Sequence, residues 1–165
     1  MYMKKVYIAG PDVFLPDAVA HGKKLKRITK ENGFEGLFPL DNEIKGDDPA
    51  ELAEKIKVAN INMIRNCDAV VANLLPFRGP EPDSGTVWEV GFAQALGKVV
   101  IGYCSDVRSL KQKTIETLNL DSTAVQDAEG FEIEDFGLTH NLMFADIVTC
   151  NSFEEAISRL KFMLS

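Results

Sequence analysis

Cysteine, histidine and tryptophan are scarce in this chain, at three, two and one residues of 165. Cys67, Cys104 and Cys150 are odd in number, which excludes a complete intrachain disulfide framework. They lie in or beside apolar runs and lack metal-knuckle spacing, so buried reduced thiols are expected. His21 and His140 have no metal-ligand spacing, and neither a Ser-His-Asp nor a Cys-His arrangement can be drawn. No metal and no cofactor are therefore expected. No apolar run is long enough to span a bilayer. Met1-Tyr2-Met3-Lys4-Lys5 leads straight into a strand-like segment, without the apolar region and small-residue cleavage site of a signal peptide. A cytoplasmic protein with no membrane partner is the expectation. Basic runs are also missing. The formal net charge is −7, and Lys23, Lys24, Lys26, Arg27 and Lys30 alternate with Leu25 and Ile28 as on the wet side of a helix. Nucleic acid is not an expected partner. Gly10-Pro11-Asp12-Val13-Phe14 matches neither a Walker loop nor a Gly-x-Gly-x-x-Gly fingerprint.

What is present suits one ordinary domain covering residues 1–165. Val6-Tyr7-Ile8-Ala9, stopped by Gly10-Pro11, reads as a buried strand. Residues 17–32 read as a helix closed by Gly33. Residues 36–40 read as a second strand, and Pro49 opens a second helix that runs to about Asn66 with Leu52, Ile56, Ala59 and Met63 in period. Residues 68–74 are apolar on both faces, as a strand inside a parallel sheet must be. A proline-rich loop follows, then a helix from Asp83 or Ser84 to about Leu96, and a strand over residues 99–103. A short helix is expected near residues 110–118, followed by a long excursion to Thr139 without clear periodicity. Residues 147–150 read as the last strand. Ser152 should cap the final helix, with Glu155 completing a capping box. This alternation predicts an α/β fold with a mostly parallel sheet. Ligands of such sheets lie beyond the carboxyl ends of the strands. The loops at residues 10–14, 41–43 and 76–83 should therefore line one crevice.

Asp83-Ser84-Gly85-Thr86-Val87-Trp88-Glu89 opens the third helix. Taken alone, Asp83 is a helix cap and Glu89 a surface carboxylate. The setting favours more: Glu89 stands between Trp88 and Val90, with Gly91, Phe92 and Ala93 following. An acid in such a stretch either escapes to solvent or occupies a site. Gly85 and Gly91 would permit close approach of ligand or backbone. Phe14, at a strand end, suits stacking on a planar base or packing on its own domain. Tyr7, if buried, needs a partner for its hydroxyl, and a carboxylate would serve.

The stretch from Pro76-Phe77-Arg78-Gly79-Pro80-Glu81-Pro82-Asp83 through Ser84-Gly85-Thr86-Val87-Trp88-Glu89-Val90-Gly91 resembles the signature of the nucleoside 2-deoxyribosyltransferase family. So do Tyr7-Ile8-Ala9-Gly10-Pro11, Pro39-Leu40-Asp41-Asn42-Glu43 and His140-Asn141-Leu142-Met143, in the expected order. The resemblance implies a flavodoxin-like (Rossmann-like) five-stranded sheet flanked by helices. It implies that Glu89 is the nucleophile, that Asp83 helps hold the substrate, and that Tyr7 orients the nucleophile. Gly10, Phe14, Glu43, Asn60, Gly85, Asn141 and Met143 become candidate substrate-binding residues. Glu43 falls where some relatives carry a base-contacting glutamine. Asn141 matches an asparagine that reaches the sugar's 5′-hydroxyl from a neighbouring subunit, which implies a homo-oligomer (dimer, tetramer or hexamer) with shared active sites. Asn60 falls where several relatives carry an aspartate that handles the base. This departure leaves the proton donor to the leaving base open between Asp83, a water and an already protonated base.

The implied partners are deoxynucleosides and free nucleobases, and the implied reaction is transfer of 2-deoxyribose between bases with retention and slow hydrolysis alongside. Two other readings stand beside it. A glycosidase for deoxynucleoside 5′-monophosphates would need phosphate donors near the first loop, where Asp12 is expected to repel a phosphate and only Arg78 favours one. A non-catalytic nucleotide-sensing module would not need the Asp83 and Glu89 pair.

Overall fold

A computed structural model describes residues 3–41 and 44–164. Among the described residues, five strands and five α-helices alternate as β1 (Lys5–Ala9), α1 (Ala18–Glu31), β2 (Glu35–Leu37), α2 (Pro49–Asn66), β3 (Ala69–Asn73), α3 (Ser84–Ala95), β4 (Val99–Tyr103), α4 (Leu110–Leu118), β5 (Val148–Cys150) and α5 (Phe153–Met163). The strands form one parallel sheet in the order β2-β1-β3-β4-β5. This is the flavodoxin-like order. The direction of winding reverses between β1 and β3, so a crevice opens beyond their carboxyl ends.

The period-two alternation of β1 divides the core in two. Val6 and Ile8 face a cluster built with Leu25 and Ile28 of α1, Phe34, Phe38, and Phe153, Ile157 and Leu160 of α5. Tyr7 and Ala9 face the opposite cluster, with Ile64 of α2 and Val90 and Ala93 of α3. Both faces of β3 are fully covered, which is why its sequence shows no alternation. Cys67, Cys104 and Cys150 are all buried thiols. On α1, Lys23, Lys24, Arg27 and Lys30 are exposed while Leu25 and Ile28 are buried, as the spacing predicts.

Helix starts follow their capping residues. Asp48 accepts the Glu51 N–H at 2.9 Å with Pro49 in the first turn. Ser109 and Gln112 form a reciprocal capping box on α4. On α5 the expected box is offset: Ser152 accepts the Glu155 N–H at 3.2 Å, but the Glu155 carboxylate takes the N–H of Asn151 rather than that of Ser152. The second strand is shorter than expected. It ends at Leu37, and Pro39–Asp41 forms a 3-10 turn. Asp41 Oδ2 accepts the Phe38 N–H at 2.9 Å, and Pro39 has no N–H to continue the ladder.

Beyond α4 the chain turns at Asn119, held in the left-handed region at φ 52°. It then makes a small exposed hairpin in which Gln126 pairs with Glu132. The segment is tied down at its far end, where Leu138 accepts the Leu110 N–H. No helix among the described residues is long and apolar enough to cross a membrane.

Candidate active site

Helix α3 sets the geometry of the site. Thr86, Val90 and Ala93, spaced i, i+4 and i+7, are buried against the sheet. Gly85 and Glu89, one turn apart, form the neighbouring stripe and face the crevice. Asp83 caps the helix. Its Oδ2 accepts both the Thr86 N–H at 3.0 Å and the Thr86 hydroxyl at 3.1 Å, leaving Oδ1 available to a ligand. A Cβ at position 85 would stand 3.1 Å from that Oδ2, so a larger residue there would crowd the carboxylate.

The crevice is a cavity of about 420 Å³, lined by Gly10, Val13, Phe14, Pro39, Leu40, Ile44, Ile56, Asn60, Asp83, Gly85, Thr86 and Glu89. That volume suits a small molecule of nucleoside size. Its walls are mostly apolar, and its convergent polar groups are Asp83, Glu89 and Asn60. The loops at residues 10–14 and 76–83 reach it; Asp41 of the second loop does not, residues 42–43 lie outside the described residues, and the flanking Pro39, Leu40 and Ile44 form that wall.

Glu89 is half-buried, and the hydroxyl of fully buried Tyr7 donates to its Oε1 at 2.6 Å. Burial pushes the Glu89 carboxyl up to about 7, the hydrogen bond from Tyr7 pulls it down, and the negative charge of Asp83 adds to the rise. Burial and the Glu89 carboxylate together drive the Tyr7 phenol far above its ordinary value, so Tyr7 remains a donor. The result is an acid on a cavity wall that is easily discharged and poorly solvated. Such a carboxylate is a stronger nucleophile than one held by salt bridges.

Phe14 is 59% exposed. It stacks on Phe77 at 5.5 Å and an interplanar angle of 14°, so it packs on its own domain, and it also lines the cavity. The Arg78 guanidinium lies over both rings, 4.7 Å from the Phe77 centroid and 5.4 Å from that of Phe14, and Arg78 itself has φ 56°. Asn60 lines the cavity with its Oδ1 buried and unpartnered. A buried acceptor left unsatisfied costs about 1 to 3 kcal/mol, which a site tolerates more readily than a core.

Several expectations change. Asp12 does not face the crevice. It is buried, accepting from Asn73 Nδ2 at 3.0 Å and paired with His21 at 2.9 Å, and it is not among the residues that line the cavity. The glycine at position 10 keeps this network closed, since a Cβ there would come within 2.4 Å of Asp12 Oδ2 and 2.8 Å of Asn73 Cβ. Gly91 is exposed with nothing within 4 Å of its Cβ position, so it brings no close approach within this chain. Phe144 is buried in its own core, whereas Leu142 and Met143 are 46% and 72% exposed. Asn141 and Met143 are not among the residues lining the cavity of their own chain. Glu43 lies outside the described residues. Among the described residues, no cluster of three or more His, Cys, Asp or Glu side chains could hold a metal.

The apolar walls escaped the sequence reading. Ile56 and Asn60 are one turn apart on α2 and face the crevice as Gly85 and Glu89 do on α3. The i, i+4 spacing of Ile56 and Asn60 carries the signal, but the same helical period that includes Leu52 and Met63 does not say which of these residues face a cavity.

The profile of the nucleoside 2-deoxyribosyltransferase family matches residues 6–143. A 2-desoxiribosyltransferase from Leishmania mexicana is 38% identical and superposes with a TM-score of 0.78, over 96% of this chain and 97% of its own. A 2-deoxyribosyltransferase from Bacillus psychrosaccharolyticus shares the fold at 20% identity and a TM-score of 0.53, over 68% of this chain and 81% of its own. An uncharacterised protein of Schizosaccharomyces pombe is 30% identical over 155 residues, covering 84% of this chain and 74% of that protein. The family match spans the strand that carries Tyr7 and the helix that carries Asp83 and Glu89, and on that footing the chain belongs to the nucleoside 2-deoxyribosyltransferase family of pentosyltransferases.

Proposed function

We propose that this enzyme transfers 2-deoxyribose from a 2′-deoxynucleoside to a free purine or pyrimidine base by double displacement on Glu89. The observation that carries this reading is the Tyr7–Glu89 hydrogen bond on the wall of an apolar cavity of nucleoside size.

In the first displacement a Glu89 oxygen forms a bond to the anomeric carbon. The carbon–nitrogen bond breaks, and its electron pair leaves with the base, which takes up a proton. Positive charge grows on the sugar as this bond stretches, and the carboxylate neutralises it in a setting where water competes little. The missing 2′-hydroxyl helps, since no electron-withdrawing oxygen opposes that charge. In the second displacement a nitrogen of the incoming base attacks the same carbon from the vacated face. The ester bond breaks, Glu89 regains its charge, and the incoming base loses a proton. Two inversions retain configuration. Water in place of the base gives slow hydrolysis.

Tyr7 holds one Glu89 oxygen, so the other points to the sugar. Asp83, with Oδ1 uncommitted, suits a sugar hydroxyl. Phe14 supplies a stacking face for the base and Asn60 an amide at its edge. Asn141 and Met143, half-exposed and exposed beside the uncovered Leu142, suit completion of a neighbouring subunit's pocket in a homo-oligomer. The double displacement needs no cofactor.

The test is product analysis by chromatography with deoxyinosine and free adenine, and with deoxyinosine 5′-monophosphate as a second donor. Deoxyadenosine should form from deoxyinosine, with hypoxanthine released in step, and little conversion should occur without adenine. Release of hypoxanthine from the monophosphate alone would replace this reading with a nucleotide glycosidase.

A further inference from the structure

Glu134 lies in the excursion that follows α4, far in sequence from Asp83 and Glu89, yet it grips the residue assigned to the sugar. Its Oε2 accepts from Asn141 Nδ2 at 2.7 Å, and its Oε1 accepts the Leu142 N–H at 2.7 Å. Asn141 Oδ1 in turn accepts the Met143 N–H at 3.1 Å. A carboxylate can only accept and a backbone N–H can only donate. The two contacts together therefore leave the Asn141 amide one orientation. Flipping it would set oxygen against carboxylate and NH₂ against N–H. One amide hydrogen and one lone pair remain free, a donor and an acceptor side by side. A hydroxyl, which both donates and accepts, is the complementary group.

The residues beside the clamp are tied to the body of their own chain, with the His140 ring meeting the Leu74 carbonyl at 3.0 Å. Lys113 is fully buried and donates to the Thr139 carbonyl. Its charge and that of Glu134 both act on Glu81, which is two residues before Asp83.

We propose that Glu134 is a positioning residue for deoxyribosyl transfer, locking the Asn141 amide so that it meets the 5′-hydroxyl of the sugar with one donor and one acceptor. This rests on the reading of Asn141 given above. Nothing in the segment's periodicity marks the residue. It becomes visible only when the excursion folds back onto residues 140–143.

The experiment compares two donors in transfer to adenine, 2′-deoxyinosine and 2′,5′-dideoxyinosine, which lacks the 5′-hydroxyl. It uses the protein as purified and measures kcat and KM. Asn141→Ala should lower kcat/KM on deoxyinosine roughly tenfold to hundredfold and leave the 5′-deoxy donor within about twofold. Glu134→Ala should show the same discrimination, and the double variant should be no worse than either single one, because both remove one interaction. Glu134→Gln keeps an acceptor for one of the two N–H groups. It should lose less than Glu134→Ala on deoxyinosine and nothing on the other donor, and it serves as the test variant if Glu134→Ala does not fold. Equal losses on both donors in the Glu134 variants, or full activity on deoxyinosine, with Asn141→Ala still discriminating, would overturn the positioning role alone. An Asn141→Ala variant that treats both donors alike would overturn the reading of Asn141 and this one with it.

Discussion

Adjacent residues of β1 serve opposite faces of the sheet. Val6 and Ile8 close against α1 and α5 in a cluster of mostly apolar side chains. Tyr7 points the other way, toward α2 and α3, and ends on the carboxylate of Glu89. The first face is built for stability. The second gives up stability to hold a poorly solvated acid, an unpartnered amide oxygen and an open cavity. Strain and unsatisfied polarity gather where function is, and here one strand divides them.

Substitutions can sharpen that contrast, and the largest effect belongs to the second face. Glu89→Ala should reduce transfer about ten-thousandfold, as loss of a covalent nucleophile does, with the circular dichroism spectrum unchanged. On the first face, Leu160→Ala should lower unfolding free energy by about 2 to 5 kcal/mol while the folded fraction keeps wild-type KM. Urea titration paired with initial rates separates the two.

A smaller effect tests the same idea through pH. The folded-state value of Glu89 is raised from 4.5 to about 7. Between those values the folded chain binds a proton that the unfolded chain does not. The stability this contributes is full below pH 4.5 and is lost as pH rises through 7. Glu89→Gln carries no such charge. It should be more stable than wild type by about 1 to 3 kcal/mol at pH 8 and equal to it near pH 4.5, as thermal melts would show. The same titration predicts that kcat/KM falls below pH 7 as the nucleophile is protonated. Smaller still is Tyr7→Phe. The lost hydrogen bond had lowered the Glu89 value, so the acidic limb of the kcat/KM profile should move to higher pH. A limb that stays in place or moves down would contradict the assigned role of Tyr7.

The legibility of this fold followed its physics. Strands buried on both faces, such as Ala69–Asn73, read as unbroken apolar runs, and helices with polar caps, such as the one after Asp83, announced their starts. The residues alone showed that a buried Tyr7 hydroxyl needs a partner and that an acid in an apolar stretch escapes or occupies a site; pairing Tyr7 with Glu89 came from the family resemblance. The excursion after α4 was not readable. It is held by side-chain contacts, from Lys113 on α4 to Thr139 and from Glu134 to Asn141 and Leu142, rather than by periodic burial. Asp12 misled for a related reason. Its sequence position suggests a loop facing ligand, but Asn73 and His21 draw it inward. Both partners are distant in sequence or on another element, and local pattern carries no trace of them.

The most direct measurement of the central claim is covalent trapping. Incubation with a 2-fluoro-substituted deoxynucleoside slows the second displacement by destabilising the positive charge that forms on the sugar. Peptide mass mapping should then find the fluorinated sugar on the peptide containing Glu89, and Glu89→Gln should remain unlabelled. An adduct on another residue, or a wild-type enzyme that turns over freely and is never labelled, would contradict the assignment of Glu89 as the nucleophile.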